Sequence, residues 1–286
     1  VRSADDNPTD SEEGTPESSP LGRSHGYVAS YDPGLLFPVA RATSRRKIGV
    51  GSDLPFHGED LWNAYELSWL STGGLPVVRV ATLRFAAHSP NLIESKSLKL
   101  YLNSLNNSTF ESDAHVRDVI MQDLERASGA SVAVDFSAPS LSSDWQATSM
   151  EAWCIDDDRV SIDTYEVNPE FLKDSANGDV VGATVYSNLL RSVCPVTGQP
   201  DWGTVQIRYQ GIWIEHRALL RYIVSFRNHA DFHEHCVERM FMDIKRYCEP
   251  VKLSVYARYT RRGGLDINPF RSDYEAPPAN VRHERQ

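Results

Sequence analysis

Cys194 is the first place where this chain could do covalent chemistry. It opens the stretch CPVTGQPDWG, a loop rich in Pro, Gly and Thr that runs directly into a strand-like segment. Loops of this kind present side chains to ligands, whereas Cys236 and Cys248 sit among apolar residues at helical spacing, the setting of a packing thiol. Cys194 is therefore the better nucleophile candidate. Asp201, seven residues on across the loop, is close enough in sequence to serve as its proton donor or acceptor. An inert loop thiol is the alternative reading.

A second group lies in NHADFHEHCVERM. His229, His233 and Cys236 fall at i, i+4 and i+7, which on a helix would put them on one face as a soft-metal site. Phe232 and Met240 share much of that face and no CxxC or HExxH pattern is present, so no metal is expected. His233 and Glu234 fall in the first turn of the same helix, where an acid–base imidazole and a ligand-accepting carboxylate are well placed; a capped surface helix accounts for them nearly as well. Glu94, Lys96 and Lys99 in NLIESKSLKLYLNS read either as a solvated helix face or as a charged ligand surface. Arg261, Arg262, Gly263 and Gly264 in YTRRGGLDINP have the makings of a flexible basic nest for phosphate. With no GxGxxG or GxxxxGK[ST] pattern, a dinucleotide would have to bind outside a Rossmann site.

The elements that must position these groups follow from periodicity. Leu75 to Phe85 has strand character, Ser97 to Leu105 and Val116 to Ala127 read as amphipathic helices, and SVAVDF from Ser131 returns to strand. The order recurs: a strand from Gly203 to Tyr209 ending at an expected Gln210-Gly211 turn, helices over about Glu215 to Phe226 and Phe232 to Tyr247, and a strand from Leu253. Glu94 falls on Glu215 and Phe110 on Phe232, a repeat offset of 121 to 122 residues. Two such modules predict an α+β architecture, each an antiparallel sheet with two helices on one face. The boundaries read as an acidic, disordered tail over 1–26, an irregular lead-in over 27–56 with the basic run Arg45, Arg46 and Lys47, an N-terminal module over 57–150 and a C-terminal module over 151–286.

Composition narrows the function classes. The 286 residues carry a formal charge of -10, of which the tail holds -4, so bulk attraction to nucleic acid or an anionic membrane is not expected. No apolar run reaches membrane-spanning length and no leader-like segment opens the chain. Four widely spaced cysteines suit reduced thiols, and a cytoplasmic setting is expected.

ESKSLKLYLNS from Glu94, CPVTGQPDWG from Cys194, FHEHCVER from Phe232 and YTRRGGLDINP from Tyr259 together resemble the long, two-module NADPH-dependent 7-cyano-7-deazaguanine reductases, the nitrile reductases of queuosine biosynthesis. The resemblance runs from about His57 to the C-terminus. It implies tandem tunnelling-fold modules, a homodimer, and four-electron reduction of the nitrile to the aminomethyl base with two NADPH per cycle. It also implies roles: Cys194 as nucleophile forming a covalent thioimide, Asp201 as proton-transfer residue, His233 assisting it, Glu234 recognising the base and Glu94 reaching the same ligand from the other module. Ser95, Lys96, Lys99, Arg261, Arg262, Gly263 and Gly264 become the cofactor candidates. A link to tRNA is then expected only through the pathway. Three other readings stay open on the residues: a zinc-dependent cyclohydrolase-like enzyme on the same fold, a cysteine nitrile hydrolase or amidase, and a non-catalytic purine- or pterin-binding oligomer.

Overall fold

The computed structural model describes residues 30–139, 152–156, 159–283 and 285–286. The acidic stretch 1–26 and the expected module boundary at 150/151 both lie outside the described residues. Within 27–56 the reading of an irregular lead-in is corrected: Pro38–Ala40 is strand β1 and Arg41–Lys47 is helix α1. Helix α1 has no side-chain cap and no apolar stripe, and its buried residues are Arg41 and Arg45. It is held by charge, which hydrophobic periodicity does not report.

The N-terminal module comprises β2 (His57–Leu70), β3 (Pro76–Ala86), β4 (Asn91–Ile93), α2 (Ser95–Ser104), α3 (Asp113–Ser128) and β5 (Val132–Ser137). The C-terminal module comprises β6 (Trp153–Cys154), β7 (Ala176–Val193), β8 (Pro200–Ile214), α4 (His216–Ser225), α5 (His233–Cys248), β9 (Lys252–Tyr259) and β10 (Leu265–Ser272). The order β2-β3-α2-α3-β5 recurs as β7-β8-α4-α5-β9, and α+β is the fold class. Each repeat thus opens with a long strand that periodicity does not announce. In β2 the polar Asp60 and Asn63 are buried beside Leu61 and Trp62, which hides the alternation, and β7 changes register at Ala176/Val180 and Ser187/Leu190.

Eight strands form one sheet in the order β5-β3-β2-β10-β9-β8-β7-β6, antiparallel except for the short β6–β7 pair, while β1 and β4 pair separately. Strand β10 is the joint: it pairs with β2 from Leu265↔Ala64 to Ser272↔His57 and with β9 at Phe270↔Tyr256. Gly58 lies on that joint at φ +147, and a Cβ there would come within 1.9 Å of the Phe270 carbonyl oxygen, so only glycine lets the two strands close. The expected Gln210-Gly211 turn is not a turn. Strand β8 runs on to Ile214, with Gln210 opposite Gly182 and Gly211 opposite Val181. Gly211 instead makes room for Pro250, whose Cα would be 3.0 Å from an added Cβ.

Two cores lie between the sheet and the helices. One gathers Trp62, Leu83, Leu98 and Ile120 together with Leu265 and Ile267 of β10; the other gathers Val205, Leu220, Phe241 and Val255. Helix α3 is capped by the Ser112 hydroxyl, which accepts from His115 N at 3.2 Å, and ends at Gly129 in the left-handed region. Among the described residues, no helix is long and apolar enough to cross a membrane.

Candidate active site

Cys194 lies in the connection between β7 and β8. Its amide donates to Gln199 O at 2.9 Å and its carbonyl accepts from Gly198 N at 3.0 Å, so the loop is tight and the partly exposed thiol is held at its base. Gly198 takes φ +66, the left-handed geometry that this turn requires. The loop opens onto a cavity of about 440 Å³ lined from both modules: Glu94, Ser95, Lys96 and Lys99 on one side, Cys194 and His233 on the other, with Ile267 of β10 between.

Glu94 is buried where α2 begins. Its carboxylate accepts from Lys96 N and Ser97 N, both at 2.8 Å, which caps the helix. Burial pushes its carboxyl above the ordinary range, and the two amide donors oppose that shift. The solvated-face reading therefore fails for Glu94 itself, while Lys96 and Lys99 do reach the cavity. Lys99 Nζ also donates to Gly263 O, tying α2 to the β9–β10 turn.

His233 starts α5 with its ring packed on Tyr259 at 3.9 Å between centroids. Its Nε2 lies 3.5 Å from Asp201 Oδ1, and Arg262 Nη2 lies 2.6 Å from the same oxygen. Asp201 is thus buried and does not line the cavity; it connects to it through His233 and Arg262, which do. Glu234 is 1% exposed and likewise lies outside the lining. Burial first, and then Asp60, push its carboxyl up, while His233 and Arg41 pull it down.

The remaining cofactor candidates divide. Gly263 lines the cavity, whereas Arg261 and Gly264 do not. Arg261 stacks over Tyr65 at 4.8 Å, and Gly263 and Gly264, at φ +57 and +80, form the two-residue turn closed by Arg262 N donating to Leu265 O at 2.8 Å. That corrects the flexible nest: the Gly-Gly pair is a hairpin turn with both residues in the left-handed region.

The His229, His233 and Cys236 grouping is not brought together, because α5 begins only at His233 and His229 precedes it in extended backbone. His229 and His235 both turn to Asp231, at 3.8 and 3.0 Å. Cys236 is fully buried in the core, and burial pushes its thiol well above the ordinary range. Among the described residues, no group of three or more His, Cys, Asp or Glu could hold a metal ion. The repeat-related Glu215 opens onto a separate cavity of about 410 Å³ whose described lining holds no cysteine or histidine. Residues that the motifs did not single out also line the main cavity, among them Thr197, Gln199 and Tyr259; Thr197 and Gln199 belong to the Cys194 loop, whose sequence was the available signal.

A nucleophile on a tight loop, an imidazole 3.5 Å from a buried carboxylate, and cations across the gap constitute a site able to add a thiol to an electrophilic carbon and move a proton to its neighbour. Comparison with known proteins agrees in kind. Residues 27–136 match the family model described as "Nitrile reductase, 7-cyano-7-deazaguanine-reductase N-term", and 200–278 match "QueF-like protein". The NADPH-dependent 7-cyano-7-deazaguanine reductase of Paraburkholderia xenovorans is 53% identical over 95% of this chain and 100% of its own length. That of Bordetella bronchiseptica is 54% identical over 94% of this chain and 98% of its own. A solved archaeosine synthase QueF-Like, in the apo form, overlays 35% of this chain and 99% of its own at 17% identity and a TM-score of 0.30, too slight to bear on the fold. With both modules matched and the relatives covered from end to end, the chain belongs to the family of NADPH-dependent 7-cyano-7-deazaguanine reductases.

Proposed function

We propose that this protein reduces the nitrile of 7-cyano-7-deazaguanine to the aminomethyl base, at the expense of NADPH, through a thioimide on Cys194. The observation that carries the reading is the single cavity in which Cys194 and His233 of one module face Glu94 and Lys96 of the other. A nitrile carbon is electrophilic but accepts hydride poorly. Addition of the Cys194 sulfur forms an S–C bond, and a proton from the Asp201–His233 pair goes to the nitrile nitrogen, leaving an activated C=N carbon. NADPH, when bound, would supply the hydride equivalents, two molecules for the four electrons; after the first two electrons the S–C bond breaks and Cys194 leaves as the thiolate, so that the second two reduce a C=N carbon no longer attached to the protein.

This chain's residues fit such a cofactor. Lys96 and Arg262 reach the cavity and would meet its phosphates, with Lys99 and the Gly263 turn beside them. Asp201 and His233 would hold and return the proton. Glu94 at the cavity wall, and Glu234 buried just behind it, one residue along α5 from the lining His233, would accept from the N–H groups of the base, since a carboxylate takes two parallel donors together. The tandem tunnelling-fold modules would work as a homodimer, a reading supported by the exposed apolar pair Val180 and Ile212 on strands β7 and β8 towards the end of the sheet.

The test is to mix protein, 7-cyano-7-deazaguanine and NADPH, follow absorbance at 340 nm, and weigh the intact protein after exposure to the nitrile alone. Two NADPH should be oxidised per amine formed, and the covalent adduct should vanish with Cys194→Ala. Undiminished NADPH oxidation in that variant would sink the mechanism.

A further inference from the structure

Among α1, β2, α5 and β10 lies a buried cluster of charge that the reaction as described does not use. Asp60 Oδ2 meets Arg41 Nη2 at 2.5 Å and Asp60 Oδ1 meets Arg271 Nη1 at 2.8 Å. Glu238 Oε1 meets Arg271 Nη2 at 2.8 Å and Arg45 Nη2 at 2.7 Å. Three guanidiniums thus face two carboxylates in direct contact, leaving one positive charge in a buried cluster. The excess has an address. Arg41 is 1% exposed, yet its Nη1 is a buried nitrogen without a hydrogen-bond partner, 3.9 Å from Glu238 Oε1.

Glu234 is the carboxylate that completes the balance. It lies one turn before Glu238 on α5, is 1% exposed, and enters no direct ion pair among the described residues. Burial first, and then Asp60 on β2, raise its carboxyl above the ordinary range, and His233 on its own helix and Arg41 on α1 oppose that rise. An isolated buried carboxylate would take up a proton, and a protonated acid presents one acceptor oxygen fewer to a ligand. We propose that Arg41, from the helix ahead of both modules, is a positioning residue for the nitrile reaction: its spare guanidinium charge keeps the Glu234 carboxylate ionised and fixed for the base. This rests on Glu234 as the base-recognising group. It makes the segment 38–47 part of the active site's machinery, although that segment contributes no residue to the cavity lining.

The experiment is a kinetic cycle on the full chain with Arg41→Met, Arg41→Lys, Glu234→Gln and the double variant Arg41→Met/Glu234→Gln. Arg41→Met should raise KM for 7-cyano-7-deazaguanine about tenfold while kcat and KM for NADPH move less than about twofold. Arg41→Lys, which keeps the charge, should recover most of that loss. In the Glu234→Gln background Arg41→Met should add nothing, because its target is already neutral. A purely structural Arg41 would instead lower Tm and kcat together, or penalise both backgrounds equally, and either result overturns the inference. If Glu234→Gln raises KM and Arg41→Met does not, the inference falls and the base-recognition reading stands; if Glu234→Gln leaves KM unchanged, both fall. Should Arg41→Met not fold, Arg41→Lys decides: a change in KM below about threefold supports the charge role, and a tenfold rise at unchanged Tm overturns it.

Discussion

Glu238 offers the sharpest quantitative test of how α5 is held. Burial opposes its charged form, but Arg271, Arg45 and Arg41 outweigh burial and pull its carboxyl from 4.5 down to about 2. A depressed folded pKa adds stability that is present above the unfolded value and lost as pH falls through the folded one. The window therefore runs from about pH 4.5 to about pH 2. The fall from 4.5 to about 2 corresponds to about 3 kcal/mol at pH 7, of which about 2 kcal/mol should be gone by pH 3. The perturbation is Glu238→Gln, which retains the shape and removes the titration. Urea unfolding of both proteins from pH 7 to pH 3 should show a stability difference that is large and flat above about pH 5 and that shrinks by about 2 kcal/mol toward pH 3, because the glutamate of the unfolded chain takes up a proton in that range while the folded carboxylate is still ionised. A difference independent of pH would mean that the glutamate is neutral in the fold or that its pairing is not what holds the helix, and the reasoning would fail.

Other consequences are open to measurement. Glu94→Ala removes the acceptor for two first-turn amides of α2 and should cost about 1 kcal/mol in urea unfolding while raising KM for the base; a KM identical to the parent's would take Glu94 out of the ligand site. Gly58→Ala would force a Cβ to 1.9 Å from the Phe270 carbonyl oxygen, and a loss above about 3 kcal/mol is expected because backbone must move; an unchanged Tm would refute the close β2–β10 approach. Sedimentation equilibrium should give twice the chain mass. Paired replacement of Val180 (79% exposed) and Ile212 (44%) by lysine should shift that mass toward the monomer, and a monomeric parent would discard the dimer reading.

How much of this was legible from residues alone depended on what kind of force held each part. Helices α2 to α5 and strands β3, β5 and β9 are built on apolar periodicity, and the sequence pattern places them within a few residues of their observed bounds. The long strands β2 and β7 are obscured by buried polar residues and register shifts, and α1 by having arginines where an apolar stripe would be. At the site, Cys194, His233, Glu94 and the two lysines are brought to one cavity, because motifs report loops and helix starts that project inward. Position along the chain could not show that Asp201 sits behind His233, that Arg261 stacks on Tyr65 instead of lining the cavity, or that the Gly-Gly pair is a hairpin turn. Nor could it show the charge cluster joining α1 and α5, whose members Arg45 and Glu238 lie 193 residues apart.

Strand β10 has a further consequence, for biosynthesis. It follows every other described strand in the chain, yet it supplies Leu265 and Ile267 to the N-terminal core and hydrogen bonds to β2, which precedes it by some two hundred residues. The N-terminal half must therefore wait, its sheet edge open, until β10 has emerged. Translation that stops before β10 would yield neither a finished first module nor a complete cavity wall, so the cavity beside Cys194 forms only in chains that have been read through residues 265–272. For the same reason the two halves cannot be cut at the repeat boundary and exchanged as independent cassettes: the stitch that joins them is also a structural part of each.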